Sequence, residues 1–162
     1  MHTYFGSCFW LLVPVLLWNL LLTSRLPVAL QPAEFWRDIP PWIGVPENVL
    51  RALVLSVPLV MRLELRSPRQ KAALALFAAG LAAYFASWMV LIASPASRWS
   101  TSAAGFSAPA YTPALWLCGL GLLPERLTIT RLPYRRWPYF ALAAGFLVFH
   151  NLHAAIVYGR NY

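Results

Sequence analysis

From Met1 to Ser24 the chain carries no charged side chain, and a second charge-free run extends from Ala72 to Ser94. Runs of this length are long enough to cross the hydrocarbon core of a bilayer as helices. Inside lipid every backbone N–H and C=O must be paired within the segment, so such a chain is restricted to helices or a closed barrel. Composition points the same way. Of 162 residues, 60% are hydrophobic and 11% are charged, against about 25% charged in ordinary soluble domains. That balance excludes a water-soluble globular domain, and the high hydrophobicity excludes disorder.

The apolar runs predict an all-α integral membrane protein. A single domain over 1–162 forms a compact bundle of about five transmembrane helices, with spans near 5–23, 48–65, 72–94, 107–124 and 137–158. The second span is the shortest, because only Ala52 to Met61 lie uncharged between Arg51 and Arg62. It crosses if both arginines snorkel to opposite interfaces; if it is interfacial instead, four helices remain. Pro14 and Pro58 predict kinks. The first span is not read as a signal peptide, since it lacks a basic start and a clean small-residue cleavage site.

The net charge of +8 comes from 13 basic and 5 acidic residues. The basic residues sit between apolar runs, so the expected anionic partners are the bilayer's phospholipid headgroups, not nucleic acid. Arg62, Arg66, Arg69 and Lys71 share one connection, and Arg126, Arg131, Arg135 and Arg136 share another. The positive-inside rule then puts the N-terminus in the cytoplasm. The arginine-rich basic set fits a bacterial cytoplasmic membrane. Cys8 and Cys118 form no CxxC pair and read as small buried hydrophobes.

Four-residue spacing of small side chains (Ala75, Ala79, Ala83 and Ser87; Ala110, Ala114 and Cys118; Ala141 and Gly145) predicts close helix packing. The same stripes leave a homo-oligomer or partner membrane subunits open. Trp36, Trp42, Trp99 and Trp137 fall at expected span ends, as an aromatic belt requires. Trp10, Trp18, Trp88 and Trp116 fall within spans, as packing residues or as flat walls for an apolar ligand.

The polar residues within the spans share a depth. Asn19, Ser87, Tyr111, Thr112 and Asn151 fall in the half of the bundle beneath the connection that holds Glu34, Asp38 and Glu47. With Trp36 and Trp88 they form the expected ligand-binding set. His150 and His153 lie on one helix face. They are candidate metal ligands, completed by a carboxylate from that connection, and a single imidazole would also suit haem. The alternative is that both hydrogen-bond to Asn19 or Ser87 across helices. Pro32 is placed to start a short helix and Pro40-Pro41 to stop it, so Gln31 to Glu47 reads as an ordered lid or an interfacial anchor.

Five spans in about 160 residues, together with the Pro- and Trp-rich segment from Gln31 to Pro46, are similar to the tryptophan-rich sensory protein (translocator protein) family. Members bind porphyrins and sterol-like ligands, so the resemblance implies a five-helix bundle around an apolar ligand. The sequence departs from that family's third-helix pattern, and His150 and His153 stand in place of its final-helix pattern.

The function expected from these features is noncatalytic: binding of a hydrophobic ligand, or service as an accessory subunit of a larger complex. No nucleophile–base pair or cofactor motif is recognisable. The alternative is a small membrane enzyme or metal- or haem-binding protein built on His150 and His153. A transporter ranks last, because the spans as drawn contain no carboxylate to couple protons.

Overall fold

The protein is described by a computed structural model over residues 6–128 and 133–162. His2, Phe5 at the start of the first expected span, and Arg131 lie outside the described residues. The described chain is all-helical. Helix α1 (Val13–Leu22) is entered through a 3₁₀ turn at Cys8–Leu12 and left through another at Thr23–Arg25. A 3₁₀ turn at Val28–Leu30 and the one-turn helix α2 (Pro32–Phe35) lead to α3 (Pro41–Ser56). Then come α4 (Pro68–Ala93), three pieces α5 (Ala103–Phe106), α6 (Ala108–Tyr111) and α7 (Pro113–Leu122), and α8 (Arg136–Asn161).

Among the described residues three helices are long and apolar enough to cross a membrane: Cys8–Arg25, Pro68–Ala93 and Arg136–Asn161. The segments expected at 48–65 and 107–124 are present as shorter helices, and proline explains both differences. Pro40-Pro41 ends the α2 segment but also starts a helix. Pro40 is the N-cap of α3 and Pro41 its first residue, where a missing N–H costs nothing. Helix α3 therefore begins seven residues before the expected start and ends in a 3₁₀ turn at Pro58. In the fourth segment Pro109 and Pro113 each open a new helical piece. Pro14 marks the change from 3₁₀ to α geometry in α1.

Helix α4 has an identifiable start signal. Ser67 caps α4 by accepting the Gln70 N–H, and the Gln70 side chain returns a bond to the Ser67 N–H at 3.0 Å. This reciprocal cap satisfies donors that the helix itself leaves orphaned. Backbone hydrogen bonds then gather the N-terminal end of α1 with the far ends of α3 and α7. Cys8 N–H bonds Met61 O at 2.8 Å, Leu63 N–H bonds Gly6 O at 2.7 Å, and Arg62 N–H bonds Arg126 O at 3.1 Å. Successive segments thus alternate in direction, and Arg62 and Arg126 share one end.

Close packing follows the expected small-residue stripes only in part: Ser87 and Ala110 are buried. Ala75, Ala79, Ala114 and Ala141 are exposed, while α4 meets α7 through two glycines. A Cβ on Gly80 would lie 2.4 Å from the Trp116 backbone nitrogen, and one on Gly119 would lie 2.4 Å from that of Phe77. Both helix backbones approach too closely for any side chain. Gly80→Ala or Gly119→Ala should therefore destabilise the bundle by about 1–3 kcal/mol, read as a lower unfolding temperature in detergent. Gly159→Ala, where a Cβ meets nothing within 4 Å, should leave it unchanged.

Candidate functional site

Glu47 has 0% solvent exposure. It sits in the second turn of α3, after Pro41 has started the helix. An ionised carboxylate in such a place is tolerated only with several hydrogen-bond partners, and the fold supplies three. Arg51, one turn further along α3, pairs with Oε1. His150 Nδ1 lies 2.8 Å from Oε1, and His153 Nδ1 lies 2.6 Å from Oε2. The two histidines reach the same carboxylate because they are three residues apart on α8.

The cluster extends into α2. Nε2 of His153 lies 2.8 Å from the Phe35 carbonyl oxygen. The Phe35 ring stacks on the His153 ring with centroids 4.0 Å apart, and Trp36 meets it edge-on at 4.6 Å. Arg160, near the end of α8, donates to the carbonyls of Glu34 and Arg37. These contacts fasten the Pro32–Phe35 turn onto α8. Asp38, with φ of 52°, reverses the chain directly before Pro40-Pro41; Asp is among the few residues that adopt this conformation at modest cost. Arg51 is held between two rings, its Cζ 5.5 Å from the Trp36 centroid and 5.7 Å from that of Phe146.

A cavity of about 380 Å³ adjoins the cluster. Arg51 and His150 form part of its wall, while Glu47 and His153 lie behind them. The remaining wall is largely aromatic and aliphatic and is contributed by α1, α3, α4, α8, the α2 segment and the broken fourth segment. Asn19 of α1 accepts a hydrogen bond from Tyr84 Oη of α4 at 2.7 Å, and both line the cavity. The indole N–H of Trp116, also a lining residue, is buried without an acceptor among the described residues.

The residues expected at a site divide accordingly. Asn19, Trp36, Trp88 and His150 are brought to one cavity. Ser87 and Thr112 turn their hydroxyls back onto their own chain, to the Tyr84 and Ala108 carbonyls. Asn151 ties α8 to α6 through the Ala110 carbonyl, and Tyr111 is exposed. These four do not line the cavity. Arg51, Tyr84, Trp116 and Phe146 do, and polarity at common depth did not single them out. The Glu47–Arg51 spacing of four was the available signal for Arg51.

Of the three carboxylates offered to the histidines, Glu47 is the one that meets them. Glu34 and Asp38 pair instead with Arg37, at 2.7 and 3.8 Å. Asn19 and Ser87 do not bond the histidines. Both ring nitrogens of His153 are occupied, so metal ligation through it requires giving up Glu47 or Phe35. Among the described residues no group of three or more His, Cys, Asp or Glu side chains is arranged to hold a metal ion. In comparisons with known proteins, no family model, curated protein or solved structure matches the chain.

Glu47→Ala should cost about 3–5 kcal/mol, because it strands Arg51 and His153 without their buried acceptor. Glu47→Gln should recover part of that loss: its amide accepts from Arg51 and donates to Nδ1 of a neutral His153. Urea unfolding of the solubilised variants measures both, and a loss under 1 kcal/mol for Glu47→Ala would contradict the burial.

Proposed function

We propose that this chain is a small noncatalytic multi-pass membrane protein that holds an apolar ligand in the cavity beside Glu47, alone or as an accessory subunit. The observation that carries this reading is the cavity itself. Its volume falls in the range of about 300–1,000 Å³ typical of small-molecule sites. Its wall combines aromatic faces with few polar groups, a composition suited to a ligand that is mostly hydrocarbon. The Glu47 cluster fixes the position of two of those polar groups, Arg51 and His150.

In this reading five segments cross the bilayer: α1, α3 with its 3₁₀ extension, α4, the broken α5–α7 segment and α8. The outward faces support it, with Leu20 78% and Trp137 82% exposed. Such apolar surfaces suit lipid and would promote association in water. Arg62, Arg66, Arg69, Lys71, Arg126, Arg135 and Arg136 face the cytoplasm and its anionic headgroups. The N-terminus is then cytoplasmic, and the membrane is a bacterial inner membrane. The cavity lies in the half nearer the opposite side.

The test uses ω-bromoundecanol, an uncharged apolar probe whose bromine quenches nearby indoles, added to protein in lipid nanodiscs. Saturable quenching is expected, and Val54→Trp, which fills the cavity from α3, should abolish its saturable part while the fold survives. Saturable quenching unchanged in Val54→Trp would overturn the reading.

A further inference from the structure

We infer that the cavity selects amphiphiles with an acidic headgroup, seated against Arg51. The inference rests on the cavity being a ligand site and adds the chemistry of the ligand's head.

The first support is a proton count. A carbonyl oxygen only accepts, so the Phe35 contact requires a hydrogen on Nε2 of His153. Each of the two Nδ1–carboxylate contacts requires one more hydrogen between its atoms. Glu47, His150 and His153 therefore hold at least three protons, and with three the trio is neutral. Arg51 adds a positive charge that nothing in the cluster cancels. Around it, Arg37 and Arg160 are offset by Glu34 and Asp38. However the protons are distributed over these contacts, the cluster keeps at least one net positive charge.

The second support is the direction that charge faces. Arg51 and His150 line the cavity, the Glu47 carboxylate lies behind them, and among the described residues no carboxylate side chain lines the wall. A cluster with net positive charge that presents Arg51 and His150 on a largely apolar wall favours an anion. Glu47 and Asn48 engage one nitrogen each of Arg51, and the guanidinium has five N–H donors.

A third observation is independent of charge. Phe35, Trp36, Trp88, Trp116 and Phe146 line the cavity, a wall suited to a hydrocarbon tail. The wall thus offers donors and a cation to the head, and aromatic faces to the tail. A carboxylate or a phosphate monoester on a hydrocarbon body presents that chemistry.

The decisive experiment compares ω-bromoundecanoic acid with ω-bromoundecanol in the full-length protein in nanodiscs of zwitterionic lipid, by saturable indole quenching. The acid should bind about tenfold more tightly than the alcohol. Arg51→Gln should bring the acid down to the alcohol's affinity and leave the alcohol unaffected, whereas Arg51→Lys should keep part of the preference. If Arg51→Gln fails to fold, Arg51→Lys serves, with a weakened preference for the acid and an unchanged affinity for the alcohol. Displacement by dodecanoate but not dodecyl phosphate assigns a carboxylic acid; the reverse assigns a phosphorylated amphiphile, and either supports the inference. Equal binding of acid and alcohol in the wild type would overturn it while leaving the apolar site standing. Binding of neither probe would overturn the site as well.

Discussion

A buried carboxylate is the constraint around which this structure is arranged. Glu47 is withdrawn fully from solvent, where an unpaired charge would neutralise or unfold its surroundings. Its two oxygens draw Arg51 along α3 and two histidines across from α8, fixing the rotation of each helix about its own axis. His153 then passes the constraint to α2 through the Phe35 carbonyl and ring. One acidic side chain thereby positions three separate stretches of chain. Elsewhere the bundle relies on shape, as where Gly80 and Gly119 let α4 and α7 touch.

The cavity follows from the same arrangement. Phe35 and Trp36, held against His153, form part of its rim, and Arg51 stays at the wall because Glu47, Trp36 and Phe146 confine it. On the opposite side α1 is loosely engaged. Within Val13–Leu22 only Val15 is buried, and the helix is tied in by the Tyr84–Asn19 hydrogen bond and by Trp18 stacked on Phe85 at 4.0 Å. A rigid polar wall thus faces a lightly held apolar helix.

The sequence made the helical class and the long apolar elements legible, because charge-free runs such as Ala72–Ser94 leave no alternative in lipid. Of the polar residues grouped by depth, Asn19 and His150 line the cavity, whereas Ser87, Tyr111, Thr112 and Asn151 do not. Boundaries at proline were harder to read. Pro40-Pro41 reads as a stop, although a proline at the first helical position serves equally as a start. Small-residue spacing misplaced the packed face of α4, since whether Ala75 or Gly80 faces a neighbour depends on helix rotation. Arg51 reads as an interfacial residue in the sequence, but its partner Glu47, one turn earlier on α3, is buried. Trp116 and Phe146 carry no polarity contrast that would have distinguished cavity wall from core.

The most direct test of the account is the protonation pattern of the His153 ring, read by nitrogen NMR of histidine-labelled protein in nanodiscs. The account predicts a hydrogen on Nε2, bonded to the Phe35 carbonyl, and a strongly hydrogen-bonded proton between Nδ1 and Glu47 that disappears in Glu47→Ala. An Nε2 without hydrogen, or an Nδ1 signal indifferent to Glu47→Ala, would contradict it. Either result would remove the buried cluster on which both the fold and the site have been argued.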